Sequence, residues 1–406
     1  MLASNQAINT QISVSITETL VGLNQLEESW LALETKTRGQ LGIFQSFNWC
    51  KNWLEQWKSN GEYVPIIITA FQDGELVCVW PMQRSTTSNV AVLSWLGTPI
   101  IQYGSPLVDI ACDVKSVTSG VWRTICDLKN IDIVRLHNVP ETSPVHSFLK
   151  TKCRSAGSTS SSILDIGAFA DWDEYCASMK TSTRRPRRKR FNKLSRTGVM
   201  KFEVHKSGRH FADLAKVAIG WKQQWLKQHN WPTTTMGDPR LTDFVTSLGA
   251  RVDGREKNSL RNQTNHWVIG ELSIDSKPIA LEIGVVEGGH YYSFLGAYDL
   301  DWASYSPGKV QIESMIAWAL EYGIQSYDFL CVAAQYKSDW TNKTIVIDHF
   351  ACPLSVRGRL YHSIWLKRLR PAAKYGLQKL TDNQRDKLMS LFGLSNKDAG
   401  TGNKHA

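Results

Sequence analysis

No apolar run in this 406-residue sequence reaches the roughly 18 residues that a membrane-spanning helix needs. The eight cysteines include no CxxC pair, and the chain has neither a Cys/His knuckle nor HExxH, so a sequence-local zinc site is excluded and no metal is expected. GxSxG and a clear Cys/His pair are also missing, which removes the usual signals of a covalent nucleophile. The opening MLASNQAINTQISVSITETL lacks both a basic start and an apolar stretch, as a secretory leader would have. Several cysteines lie inside strand-like runs such as VCVWP and DFLCV, as buried reduced thiols do. The expected compartment is the cytoplasm.

What is abundant is basic charge and tryptophan. The net charge is +10, but Lys180 to Arg196 alone holds nine basic residues and no acid, and Arg357 to Lys379 holds seven and no acid. The rest of the chain is therefore net acidic, and the basic character belongs to two patches. The first, TRRPRRKRFNK, suits nucleic-acid phosphates, an anionic substrate or a solvated helix. Only Phe191 interleaves with its charges, which speaks against nucleic acid as a partner. The second patch places Leu360, Ile364 and Trp365 among Arg and Lys. Residues 357–380 read either as an amphipathic helix touching an anionic membrane or as a helix packed on the core. The sixteen tryptophans sit mostly at core-facing helical spacing and lend weak support to a carbohydrate acceptor.

Periodicity and breakers predict a helix after Ser46, with Trp49, Trp53 and Trp57 as one stripe. A hairpin is predicted at PIIITAF–QDGE–LVCVWPMQ, around Asp73-Gly74. The polar run SAGSTSSS, residues 155–162, reads as a connector. A long helix follows, with Phe211, Leu214, Ala218, Trp221 and Trp225 on one face, and a strand pair HWVIGELSI–DSK–PIALEIGVV. Each half then shows a hairpin, a strand ending aromatic-Leu-Gly, a loop with Ser-Pro, a helix and a last strand. The expected architecture is α/β: two tandem related modules, each a mixed, mostly antiparallel sheet flanked by helices. Residues 1–162 form the first, 163–350 the second, and 351–406 a basic helical extension ending in a disordered tail.

The most informative stretch runs from Tyr298 to Trp340. Between its first strand and the helix beginning near Lys309 lies a loop with Ser306, Pro307 and Gly308. A helix start offers unpaired N–H groups and the positive end of the dipole to an anion, Gly308 permits close approach, and Lys309 adds charge. The same residues also simply start a helix. The run YD…YSPG…(helix)…YDFL…YKxxW resembles the C-terminal signature of the CelD-type acetyltransferases, a branch of the GNAT superfamily related to the Fem-type aminoacyl transferases. IFQSFNWCKNW, the Arg-rich segment before RTGVMKFEV, and SKPIALEIGVVEGGHYYSFLGAYD extend the likeness over roughly residues 40–350. Two departures stand out: the loop is shorter than the RxxGxG/A loop of that superfamily, and Pro186 interrupts the basic helix.

The resemblance implies two GNAT-like modules, with acetyl-CoA or another acyl-CoA held by Tyr305, Ser306, Pro307, Gly308 and Lys309, and Lys337 near a phosphate. It also implies that Arg184, Arg187 and Arg188 bind an anionic substrate, and that the acceptor belongs to cell-envelope or polysaccharide synthesis. Acyl transfer from a thioester needs a base for the acceptor, an oxyanion donor and an acid for the thiolate. Strand alternation sets Glu282 opposite the Ile279–Leu281–Ile283–Val285 face, beside the small residues Ala280 and Gly284 that leave room for a ligand. Glu282 is the candidate base, unless it is a strand carboxylate paired with a cation. Tyr336 is the candidate acid, and Asp299 and Asp301 either position the acceptor or form turns. Asp328, inside SYDFL, needs a partner. A tRNA-dependent aminoacyl transferase and a non-catalytic basic scaffold are the alternatives.

Overall fold

Turn chemistry converts these periods into elements. The computed structural model describes residues 11–57, 63–179, 181–206, 208–229, 235–250, 266–331, 337 and 339–364. Two compact units emerge, one from the described parts of residues 1–98, 103–157 and 349–367, the other from those of 99–102, 158–348 and 368–406. The chain runs β1 (Ile12–Thr17), α1 (Leu20–Gln25), α2 (Glu27–Lys36), α3 (Phe47–Trp57), β2 (Val64–Gln72), β3 (Glu75–Thr87), β4 (Val90–Trp95) and β5 (Leu107–Val108). There follow α4 (Val114–Asp127), β6 (Ile133–Pro140), α5 (His146–Lys152) and β7 (Arg154–Asp165). The second half gives α6 (Trp172–Ser178), α7 (Thr181–Ser195), β8 (Met200–Lys206), α8 (Arg209–Gln228), α9 (Pro239–Ala250), β9 (His266–Ile274) and β10 (Lys277–Glu287). Then come β11 (His290–Tyr298), α10 (Pro307–Glu321), β12 (Ser326–Cys331), β13 (Lys343–Pro353) and α11 (Val356–Leu360).

In the first unit the strand order is β1-β2-β3-β4-β6, with β13 next to β6. Neighbours from β1 to β4 are antiparallel, whereas β4 and β6 are parallel over only three pairs, Val92↔Ile133 to Ser94↔Arg135. In the second unit the order is β8-β9-β10-β11-β12-β7. Again the first four are antiparallel, and β11 and β12 are parallel over three pairs, His290↔Ser326 to Tyr292↔Asp328. The expected duplication is present in topology: hairpin, third strand, helix, and a parallel partner held by a short ladder.

Ser46 caps α3 by accepting from the Trp49 N–H at 3.3 Å, and Trp49, Trp53 and Trp57 are all buried on one stripe. Asp73 and Gly74 both take positive φ (53° and 88°), the conformation that a two-residue hairpin turn requires. Pro307 opens α10 at a position where its missing N–H costs no helical bond, and Gly323 (φ 77°) follows its end. Trp30, Trp49, Trp53, Trp80 and Trp95 are fully buried in the core of the first unit. Those five are packing residues.

Three local expectations change. Residues 155–162 are most of β7 rather than an irregular connector, and the division between the two units falls within them. Small hydroxyl side chains fit a strand when the hydroxyls find partners, and Ser161 Oγ donates to the Asp328 carboxylate at 3.0 Å. Pro186 lies within α7 without ending it. At the sixth helical position it removes a single N–H donor, toward Ser182, with only the first turn preceding it. The buried face of α8 is Phe211, Leu214, Ala215, Ala218, Ile219 and Leu226, while Trp221 and Trp225 are half-buried beside it.

The loop after β4 tests the packing of the first unit. The Gly104 N–H donates to the Asn138 carbonyl at 2.8 Å, and a Cβ at Gly104 would lie 2.6 Å from the His137 carbonyl oxygen and collide with the Trp95 ring. Gly104→Ala is expected to destabilise the protein by roughly 1–3 kcal/mol. A lowered urea midpoint with unchanged slope would report it; an unchanged midpoint would show that this loop yields.

Candidate active site

The second unit is opened by the way β11 and β12 part. Their ladder ends at Tyr292–Asp328, yet β11 runs on to Tyr298 and β12 to Cys331. Strand ends that lose a neighbour must satisfy their backbone groups elsewhere. On β12 two side chains do so. The Asp328 carboxylate accepts from the Leu330 N–H at 2.7 Å as well as from Ser161. Lys337 Nζ donates to the carbonyls of Phe329 at 2.8 Å and Leu330 at 3.4 Å. Leu330 takes a left-handed φ of 57°, an unusual setting for a bulky residue, and β12 is irregular against β7 between Asp328 and Cys331. Asp328 thus has the partners its burial demanded. Burial lowers the Lys337 ammonium to about 8, and its carbonyl partners place it at the end of β12.

Glu282 lies on β10 directly opposite Gly296 of β11 and Gly270 of β9. The register sets Glu282 on the other face from Leu281, Ile283 and Val285, and both faces of this stretch are buried. A bulge in β11 pairs Gly284 with Ser293 but Ile283 with Leu295. It sets Tyr291, Ser293 and Gly296 on the face of Glu282. Glu282 is 2% exposed and accepts from the Tyr291 hydroxyl at 3.0 Å and from the Tyr327 hydroxyl. Burial raises its carboxyl above the ordinary range, opposed by hydrogen bonds from Tyr327, Ser293 and Tyr291 and by the Lys337 charge. The room expected beside Gly284 is filled, because a Cβ there would collide with the Tyr291 hydroxyl. At Gly296 a Cβ would meet nothing within 4 Å, so the open space beside Glu282 is there. Chemically this is a carboxylate whose proton affinity is raised, held in place by phenols at the edge of an opening.

Beyond β11 the chain makes a 3-10 turn, Leu300–Tyr305, and enters α10. Asp299 caps that turn by accepting from the Asp301 N–H at 3.1 Å, and Asp301 is exposed. Ser306, at φ 56°, is the left-handed joint before Pro307, Gly308 and Lys309. Lys193 of α7 is docked on this loop, with Nζ donating to the Ser304 carbonyl at 2.8 Å and lying 4.7 Å from the Tyr305 ring centroid. The basic helix thereby runs beside the start of α10. Arg184 and Arg188 are exposed on it. Arg187 is half-buried instead, 4.9 Å over the Trp172 ring and 3.9 Å from the Glu313 carboxylate, which Arg190 also approaches at 3.5 Å. Tyr336 lies outside the described residues.

The structure therefore joins Glu282 to Tyr291, Tyr327 and Ser293, none of which was singled out by sequence. Two-residue alternation does place Tyr291 and Ser293 on one face, but the Phe294 bulge and the pairing register were needed to match them to Glu282.

Glu313 gives a pH test of this region. Burial pushes its carboxyl up to about 7 against the charges of Arg187 and Arg190. A folded value above the unfolded one means that the native state holds the extra proton, so stability falls as pH rises from about 4.5 to about 7. Glu313→Gln is expected to flatten that decline. Parallel melting curves of parent and variant at pH 5 and pH 8 check it, and identical pH slopes would contradict the assignment.

Comparison with known proteins adds to this geometry. No curated protein matches the sequence. Among solved structures, FemX is similar at 12% identity with a TM-score of 0.55, covering 86% of this chain and 99% of that one, a likeness of fold. A tandem GNAT protein from the clavulanic acid biosynthesis pathway matches at 6% identity and TM-score 0.45, over 84% of this chain and 99% of its own. A conserved protein of unknown function from Bacteroides thetaiotaomicron matches at 10% identity and TM-score 0.48, over 84% and 100%. Residues 181–338, the span that holds Glu282, both parted strands, the basic helix and the start of α10, match the model of the acetyltransferase (GNAT) domain.

Proposed function

We propose that the chain is an acyltransferase moving an acetyl or other acyl group from acyl-CoA to an amine or hydroxyl of a cell-envelope or polysaccharide-related acceptor. The observation that carries this reading is the opening between β11 and β12, with Glu282 on one side and the start of α10 ahead of it. An extended thioester donor fits between parted strands, where it can pair with main chain. Its phosphates suit the Gly308 N–H, the positive dipole end and the Lys309 side chain, with Lys193 and the exposed cations of α7 alongside; the Lys309 N–H itself donates to the Ser306 carbonyl at 3.1 Å. The GNAT match over residues 181–338 supports the same chemistry.

In the proposed reaction the acceptor nitrogen or oxygen attacks the thioester carbonyl. Glu282, beside the open space at Gly296, takes the acceptor's proton. The new C–N or C–O bond forms as the C–S bond breaks, and the thiolate leaves with a proton assigned to Tyr336. Asp299 and Asp301, on the turn between β11 and α10, are assigned to positioning the acceptor. Arg184 and Arg188 suit an anionic part of either substrate; the second reading, an aminoacyl donor carried on tRNA, rests on the same exposed cations.

Two measurements test the proposal. Glu282→Gln is expected to lower turnover at least about 100-fold. Because burial raises the Glu282 carboxyl, its charge opposes folding above the ordinary carboxyl range, so the variant should melt no lower than the parent at pH 8. Near-normal turnover would remove Glu282 from the chemistry. Calorimetric titration with acetyl-CoA should show binding by the parent and its loss in Gly308→Trp. A folded parent that fails to bind would shift the reading to charged tRNA.

A further inference from the structure

The face of β8 to β10 away from Glu282 holds a group of side chains that acyl transfer does not use. His205 is on β8, His210 in the first turn of α8, and Glu271 on β9. His205 Nε2 lies 2.7 Å from Glu271 Oε2, and His210 Nε2 lies 3.8 Å from the same oxygen. The two imidazole rings meet edge to face with centroids 4.4 Å apart. One donor atom from each of the three residues falls within 4.8 Å of the other two.

Charge and geometry favour a cation here. Glu203 stands directly opposite Glu271 across the β8–β9 pair, an arrangement of like charges that repels unless positive charge is near. Lys201 supplies some, at 2.8 Å from Glu203, but Glu271 faces only the two imidazoles among the ion pairs of the described residues. Each imidazole brings a nitrogen to the same carboxylate oxygen, the donor set that borderline cations take. The backbone is shaped for the encounter, since Gly208 takes φ 128° and its N–H donates to the Gly249 carbonyl at 2.7 Å, bringing His210 back over β8.

We propose that His205, His210 and Glu271 bind a divalent d-block cation, with zinc the best match to two imidazole nitrogens, one carboxylate oxygen and an open position for water. Tetrahedral zinc separates its ligand atoms by about 3.3 Å, between the two distances to Glu271, so small side-chain rotations complete the site. Glu271 is paired with Leu281 and thus lies on the face away from Glu282. The ion would clamp β8 to α8 and β9 and take no part in acyl transfer.

The test uses the full chain without an affinity tag. Zinc titration by competition with a chromogenic chelator should give one saturable site per chain, weakened at least tenfold in Glu271→Gln and in His210→Ala. His210 has a side chain 63% exposed, so its replacement leaves the fold intact. Zinc should raise the melting temperature of the parent and not that of His210→Ala, and cobalt substitution should give visible d–d absorption in the parent alone. Absence of saturable binding, or equal binding by parent and both variants, would overturn the site.

Discussion

Everything placed in the second unit depends on two parallel strands that stay paired for three residues and then separate. Separation leaves main-chain donors and acceptors at the end of β12 without β11 as a neighbour. Asp328 takes the Leu330 N–H, and Lys337 takes the carbonyls of Phe329 and Leu330. Side chains thus replace a ladder. Without them the strands would gain by closing, and the opening beside Glu282 would go with them. The same residues set the charge of the region, because Lys337 offsets part of the burial that raises the Glu282 carboxyl.

Around that opening the polar groups fall into two kinds. Glu282 is bonded to phenols and deeply buried, which raises its proton affinity while fixing its direction. Glu313, whose proton affinity burial also raises, differs in its partners: it lies against Arg187 and Arg190, where the basic helix meets α10. A charge-rich helix would otherwise have little apolar surface with which to dock, since Leu194 is the residue of α7 that is buried. Its ion pairs and the Arg187–Trp172 contact do that work, leaving Arg184 and Arg188 facing solvent.

The topological repeat explains why so much of the fold is legible without a structure. Hairpins at Asp73-Gly74 and Asp275-Ser276, the tryptophan stripe of α3 and the Pro307–Gly323 bounds of α10 are local signals, each enforced by backbone sterics or helical period. Residues 155–162 misled because serine and glycine mark connectors by composition, whereas their place in β7 depends on what lies beside them. The partners of Glu282 were hidden for a related reason. One extra residue at the Phe294 bulge inverts the alternation downstream, and no reading of β11 in isolation contains the register of β10.

By itself, then, the sequence determined the α/β class, the repeated order of elements, the strand that carries Glu282, and the helix start at Pro307-Gly308, because these follow from short-range periodicity and dihedral preference. Tertiary structure alone decided that Gly284 is filled by Tyr291 while Gly296 stays open, that Arg187 is docked on Glu313 and Trp172, and that two histidines and a glutamate from three elements converge. Those outcomes depend on contacts between residues distant in the chain, whose pairing is fixed only when strand register and helix packing are satisfied together.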